Sequence, residues 1–380
     1  MKNSIFNKGY LLSLIFLLFG SSVFAQANST SKTQEKMLSQ EEDDKRINTY
    51  EKQLSNYLTD YIVNGYEERA DKKWNRDYTT IGAFQRSVES NRRRWEEVIK
   101  PPVLQQSGAV QRKPYVVNGV KAEWVTIPLG GIQAEGILAF PPGASKENPV
   151  PIIIAQHGIG SGPETPFEDG KSYHAFAKAL LEAGFAVLAP LNLRTVERRN
   201  NIERYARLAN TSIPGIEFVR MQNLLDLALG DPRIDPERVG MWGVSLGGMA
   251  TMFWMPLEPR IKAGIVSAWF NERRNKMVIP DDRYSSFIVT KEDYVYLTGW
   301  LEEFRDDDVV SLIAPRPLQI QHGKKDRIAH WPQVMEEYER SKEHYKKLGI
   351  EERIDMIMHE GGHEAIVEPG VSFLSKWLKP

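Results

Sequence analysis

Five residues, Gly243-Val244-Ser245-Leu246-Gly247, set a serine between two glycines at the end of the apolar run Arg238 to Gly243. A serine hydroxyl is a poor nucleophile unless it is exposed, aimed and given a base. A sharp strand-to-helix turn supplies the first two, and it strains the backbone at the serine, so the residues two before and two after must be small. Gly243 and Gly247 fill those places, and Leu246 to Met255, rich in small and apolar residues, reads as the helix that follows.

A serine in that position needs a base, and the base needs an orienting acid. Two strand-like runs downstream end in turns that offer them: Asp326 follows Pro317 to His322 in Gly323-Lys324-Lys325-Asp326, and His363 follows Ile354 to Met358 in His359-Glu360-Gly361-Gly362-His363. In this reading His363 takes the Ser245 proton and Asp326 holds the imidazole tautomer. An oxyanion also needs donors already in place. Leu246 offers its backbone N–H at the start of the helix, and Ile159, between two glycines in His157-Gly158-Ile159-Gly160, offers the second. His157, one residue past a strand, suits a structural hydrogen bond better than the role of base.

The stretch His359 to His363 also matches the zinc-binding pattern His-Glu-x-x-His. That pattern works on a helix, where residues four apart share a face. Gly361 and Gly362 would each cost about 1 kcal/mol in a helix interior, and the preceding residues read as a strand, so no metal site and no cofactor is expected here.

The elements that must carry these residues begin near Tyr115. Tyr115 to Ile127 and Ile132 to Phe140 read as an entering antiparallel hairpin. Short apolar runs at 151–156, 185–190, 238–243, 261–269, 317–322 and 354–358 then alternate with helix-like segments at 172–183, 216–229, 246–255, 333–347 and 365–379. This predicts an α/β fold with a mostly parallel sheet and helices on both faces, whose sites sit at the carboxyl ends of the strands. Two connections are too long for simple turns: 191–213, with Arg194, Arg198, Arg199, Arg204 and Arg207, and 271–304, with Tyr284, Phe287, Tyr294, Tyr296 and Trp300. Both leave strand ends and could roof the site. The arginines suit either an anionic substrate or a solvated helix face interspersed with Glu197 and Glu203; the second is the expectation.

Ahead of the catalytic region, residues 47–113 read as a helical extension. Tyr50, Leu54, Tyr57, Leu58 and Tyr61 recur at spacings of three and four, as do Phe84, Val88, Trp95 and Ile99. Both sets are expected to pack against the catalytic domain, 114–380. Residues 26–46 read as a polar linker. Residues 1–25 read as an export signal: Lys2 and Lys8, an apolar stretch from Tyr10 to Phe19, and Val23-Phe24-Ala25 as the exit, with cleavage after Ala25. That places the mature protein in the periplasm or outside the cell, without a membrane span. The 380-residue chain has a formal net charge of −1 and no cysteine. Such a balance gives no global field for nucleic acid, and the lack of cysteine removes disulfides and thiolate metal sites.

The Gly-Val-Ser-Leu-Gly-Gly elbow, the His-Gly-Ile-Gly loop, Ala314 to Leu318 and Gly361-Gly362-His363 together resemble the α/β-hydrolase superfamily, from about Tyr115 to Pro380. The order Ser245, Asp326, His363 is the order of that fold. Within it the chain is most similar to secreted bacterial serine esterases of the acetyl xylan esterase and dienelactone-hydrolase-like group, through Asp235 to Gly240 and Glu258 to Ala263. Dienelactone hydrolases use a cysteine that this chain lacks, so their substrate does not transfer. The resemblance implies an ester hydrolase acting on a small-molecule or polysaccharide ester, an acetyl ester of a polysaccharide or oligosaccharide foremost. A serine peptidase of the prolyl-oligopeptidase-like type and a catalytically silent carbohydrate-binding relative are the alternatives.

Overall fold

The computed structural model describes residues 38–170 and 172–379. The expected signal over 1–25 and most of the linker lie outside them. The chain divides into Met1–Lys52 and Gln53–Pro380. A helix over Gln40–Val63 opens the described part, so it begins inside the segment read as linker. Its apolar stripe is not a packing face: Tyr50 is 62 % exposed and Tyr57 67 % exposed. Spacing of three and four fixes which residues share a side of a helix, not whether anything covers that side. The second stripe differs. Phe84, Val88, Trp95 and Ile99, on and beside the helices Ile81–Ser87 and Glu89–Ile99, are fully buried, and Trp95 Nε1 donates to the Phe253 carbonyl at 3.0 Å.

Nine strands form one sheet: β1 (Gln111–Val117), β2 (Val120–Pro128), β3 (Gln133–Ala139), β4 (Val150–Gln156), β5 (Ala186–Pro190), β6 (Ile234–Val244), β7 (Ile261–Ser267), β8 (Leu318–Gly323) and β9 (Ile354–His359), in the spatial order β1-β2-β3-β5-β4-β6-β7-β8-β9. The first three run antiparallel to their neighbours and β3 pairs antiparallel with β5; from β5 through β9 all pairs are parallel. The expected strand from Tyr115 to Ile127 is thus two strands. Asn118 and Gly119, both with positive φ (44° and 80°), make the tight turn between β1 and β2, a geometry for which Asn-Gly is the favoured pair.

Side chains alternate across the sheet as a two-faced core requires. Ile152 and Ile154 of β4 join one buried cluster with the helices Ile213–Leu229 and Leu246–Trp254; Ile153 and Ala155 join another with Phe176–Glu182 and Val367–Leu378. The order in which strands are added reverses at β4: β5 lies on one side of it and β6 on the other, while all three run parallel. At such a switch point the loops leaving the two strands diverge and open a crevice at their carboxyl ends. Those loops carry Gly158-Ile159 and Ser245. No helix among the described residues is long and apolar enough to cross a membrane.

Candidate active site

Ser245 follows β6 and caps the helix Leu246–Trp254 with φ 60° and ψ −119°. This is a strained conformation for a residue with a Cβ. What maintains it is visible on both sides. Its N–H donates to the Ser267 carbonyl of β7 at 2.8 Å; a Cβ on Gly243 would overlap the Gly247 carbonyl, and one on Gly247 would overlap the Gln156 carbonyl of β4. The turn therefore closes only with glycine at both places, and it thrusts the serine into the crevice.

The loop after β4 meets it there. Within that loop the Gly158 N–H donates to the Tyr173 hydroxyl at 2.7 Å and the Gly160 N–H to the Arg194 carbonyl at 2.7 Å. The Ile159 N–H between them, like that of Leu246, has no acceptor among the described residues. His157 is fully buried and takes the structural place expected for it: Nε2 accepts from the Asn192 N–H at 3.1 Å, which leaves Nδ1 to donate to the Gly158 carbonyl at 3.0 Å. Burial holds its pKa below the ordinary value, so the ring stays neutral.

Asp326 and His363 come from loops that are joined by backbone. Lys324 N–H donates to the His359 carbonyl at 2.8 Å and Lys325 N–H to Gly361 at 3.0 Å, while a Cβ on Gly323 would overlap the carbonyls of Gly361 and Gly362. This pairing sets His363 Nδ1 2.9 Å from Asp326 Oδ2. The other carboxylate oxygen, Oδ1, accepts the Ile328 N–H at 2.9 Å. Asp326 is only 5 % exposed, so its charge is answered by these two donors rather than by water. With Nδ1 engaged, Nε2 is the imidazole nitrogen left for a substrate or nucleophile. His359 is the last residue of β9 and His363 stands in a loop, so the two do not share a helix face.

Ser245, Asp326, His363, Leu246 and Ile159 all line one pocket of about 500 Å³. The structure thus brings together the five residues singled out in the sequence. Both long connections roof the pocket, Val196 from one and Phe287, Glu292 and Tyr294 from the other. The residues that sequence reasoning missed stand behind it. Lys276 is buried, and its ammonium donates to the Ser285 hydroxyl at 3.0 Å, the Ile328 carbonyl at 2.6 Å and the Ser285 carbonyl. It ties the second roof segment to Ile328, the residue whose N–H binds Asp326. Burial, and then the nearby Arg273, lower its pKa to about 7. His322 of β8 is also fully buried, with neither ring nitrogen hydrogen-bonded, and burial lowers its pKa to about 4. His174 braces the loop that bears His363 through Glu364: its Nε2 is 2.7 Å from Oε2, while Oε1 accepts the Gly362 N–H at 2.9 Å. None of these carried a local signal: Lys276 and His174 act through partners distant in sequence, and the burial of His322 is set by tertiary packing.

No family model matches the chain. Among curated proteins it is similar to YtaP of Bacillus subtilis (strain 168), provisionally named a hydrolase, with 24 % identity over 248 residues covering 61 % of this chain and 80 % of that protein. Among solved structures it is similar to a Bacteroides fragilis NCTC 9343 protein provisionally named an acetyl xylan esterase (TM-score 0.59, 18 % identity, covering 76 % of this chain and 80 % of that one). A glucuronoyl esterase of carbohydrate esterase family 15 from Caldicellulosiruptor kristjansonii also matches (TM-score 0.55, 16 % identity, 79 % and 87 %). With these likenesses and the nine-stranded, mostly parallel sheet, the chain has the α/β-hydrolase fold.

Proposed function

We propose that this α/β-hydrolase-fold protein is an exported serine esterase that cleaves an acyl ester, an acetyl group on a polysaccharide or oligosaccharide foremost, through an acyl-enzyme intermediate. The observation that carries the reading is the convergence in one pocket of a strained, half-buried serine that lines it, an aspartate-bound histidine and two backbone N–H groups without acceptors among the described residues. In the proposed reaction His363 Nε2 removes the Ser245 proton as Oγ attacks the ester carbonyl. The oxyanion that forms accepts from the N–H groups of Leu246 and Ile159, which are already oriented and so cost no reorganisation. Asp326 stabilises the imidazolium across its 2.9 Å hydrogen bond. Collapse breaks the bond to the alcohol, which takes the proton from His363; water then repeats the sequence and releases the acid.

The neighbours named as carbohydrate esterases support an ester substrate on a sugar, and a pocket of about 500 Å³ suits a small acyl group beside a sugar ring. The N-terminal residues support export, with cleavage after Ala25; mass spectrometry of the mature chain tests that reading directly. For the mechanism, Ser245→Ala should abolish hydrolysis of p-nitrophenyl acetate with an unchanged melting temperature. Retention of most of the activity would rule out the serine as nucleophile. Release of acetate from acetylated polysaccharide, compared with amine release from peptides, tests the substrate class.

A further inference from the structure

The arginine-rich connection is not the uniformly solvated helix expected from its sequence. Arg199 is fully buried and forks onto Glu217, with Nη1 to Oε1 at 2.7 Å and Nη2 to Oε2 at 3.0 Å. Arg204 pairs with Asp293, and Arg207 binds Glu203 and the Tyr296 carbonyl. These three hold the structure together. Arg194 and Arg198 do not: both are exposed and neither has an ion pair among the described residues.

Both line a second cavity of about 680 Å³, with Arg220, Trp124 and Glu164 among its other walls. Arg220 is partly buried, and its hydrogen bonds all go to neutral acceptors: Nε to the Gln133 carbonyl at 2.7 Å, Nη1 to the Leu191 carbonyl at 2.8 Å and to Asn192 Oδ1 at 3.2 Å. The carboxylates nearest in charge are engaged elsewhere, Glu217 by Arg199 and Glu135 by Trp124 Nε1 and Thr126 Oγ1. Glu217 and Glu135 offset part of the Arg220 charge from nearby, but neither hydrogen-bonds to it, and its Nη2 has no partner among the described residues, so the guanidinium keeps capacity for an anion in the cavity. The one carboxylate of the lining, Glu164, accepts from the Tyr115 hydroxyl at 2.9 Å. Three guanidinium groups therefore face the cavity against one carboxylate.

The cavity is next to the catalytic pocket. The Gly160 N–H bond to the Arg194 carbonyl joins the two segments that separate them, with Ile159 and Val196 facing the catalytic side and Gly162, Arg194 and Thr195 the other. We propose that this second cavity is a subsite for an anionic sugar residue, whose carboxylate or sulfate is held by Arg194, Arg198 and Arg220 beside the apolar face of Trp124, while an ester of the same saccharide reaches Ser245. Guanidinium groups bind either anion bidentately, and a cavity of this size takes a ligand of two or three rings. The ester part rests on the esterase reading; the anion subsite does not.

The test is calorimetric titration of the mature chain with three unesterified trisaccharides of matched size: uronate-bearing, sulfated and neutral. At least one anionic sugar should bind ten-fold or more tightly than the neutral one, and the arm that binds identifies the anion. The double variant Arg194→Ala/Arg198→Ala should lose at least ten-fold of that affinity with an unchanged melting temperature. Arg198→Gln alone, expected to lose at least three-fold, serves if the double variant does not fold. Absence of binding, equal binding of the neutral sugar, or variants that bind like the parent would each overturn the subsite. Because the ligands carry no ester, these results stand whether or not Ser245→Ala proves inactive.

Discussion

Replacing Asp326 by asparagine removes one charge and almost no volume, yet it should cost between 10² and 10⁴ in kcat. Oδ1 of Asp326 accepts the Ile328 N–H at 2.9 Å and Oδ2 faces His363 Nδ1 at 2.9 Å. An asparagine that keeps its oxygen toward Ile328 turns its NH2 toward the histidine. Nδ1 must then accept, the ring proton moves to Nε2, and the imidazole can no longer take a proton from Ser245. Flipping the amide restores the tautomer but sets the NH2 against the Ile328 N–H in a site that is 5 % exposed, which costs about 1–3 kcal/mol. The imidazolium also loses a charged partner, about 1.5–3 kcal/mol. Together these come to about 2.5–6 kcal/mol, and each 1.36 kcal/mol on the barrier is ten-fold in rate. Initial rates with p-nitrophenyl acetate at about pH 8, on protein whose melting temperature matches the parent, give the measurement. Asp326→Ala loses the charge but imposes no wrong tautomer, so the more conservative asparagine should be no better than alanine. An Asp326→Asn variant within ten-fold of the parent would refute this account of the acid.

Three further outcomes follow from the geometry around the site. Arg273 and Asp306 are both fully buried and doubly hydrogen-bonded, at 2.9 and 2.7 Å, so Arg273→Ala leaves a carboxylate unpaired and should lower unfolding stability by about 3–5 kcal/mol in a urea titration; a loss under 1 kcal/mol would contradict that. His322 has its pKa lowered to about 4 from 6.5, so the unfolded chain takes up its proton first as pH falls; the stabilisation is present above about 6.5 and drains away down to about 4. This makes the protein about 2 kcal/mol less stable at pH 5 than at pH 7 through this group alone, a slope that His322→Leu should reduce. A chelator should leave ester hydrolysis unchanged, since His359 ends β9 and His363 is bonded to Asp326; inhibition reversed by zinc would show the opposite.

The parts of this molecule that were legible in its sequence are those whose physics is local. Strands β4 to β8 are buried on both faces, so they read as short apolar runs, and the elbow announces itself because a strained serine tolerates only glycine at Gly243 and Gly247. The turn at Asn118-Gly119 was equally local, but the run from Tyr115 to Ile127 reads as one strand when only its β-branched and aromatic residues are weighed. The stripe Tyr50 to Tyr61 shows the opposite failure, since helical periodicity was present and burial was not. Lys276, His322 and His174 were illegible for a different reason. The partners of Lys276 and His174, Ile328 and Glu364, come from other elements, and no spacing along the chain encodes a meeting of loops; His322 makes no hydrogen bond among the described residues, and its burial depends on what the tertiary fold packs around β8.

That same limit governs specificity. The two long connections were visible singly, but they form a joint roof: Asn200 Nδ2 donates to the Lys291 carbonyl at 2.9 Å and Asn200 Oδ1 accepts the Tyr294 N–H at 3.1 Å, while Arg204 and Arg207 reach Asp293 and Tyr296. Arg199, forked on Glu217, lies 4.7 Å from the Tyr294 ring that lines the catalytic pocket. A change in the first connection therefore moves a wall of the pocket supplied by the second, and the segment that bears Arg194 also holds the Gly160 N–H beside Ile159. In the proposed reading, recognition of the sugar and placement of the oxyanion donors share one stretch of backbone. Substitutions that alter substrate range in this protein should for that reason arise in pairs across the two roof segments, rather than at Ser245, Asp326 or His363, whose positions are set by the sheet and its glycine turns.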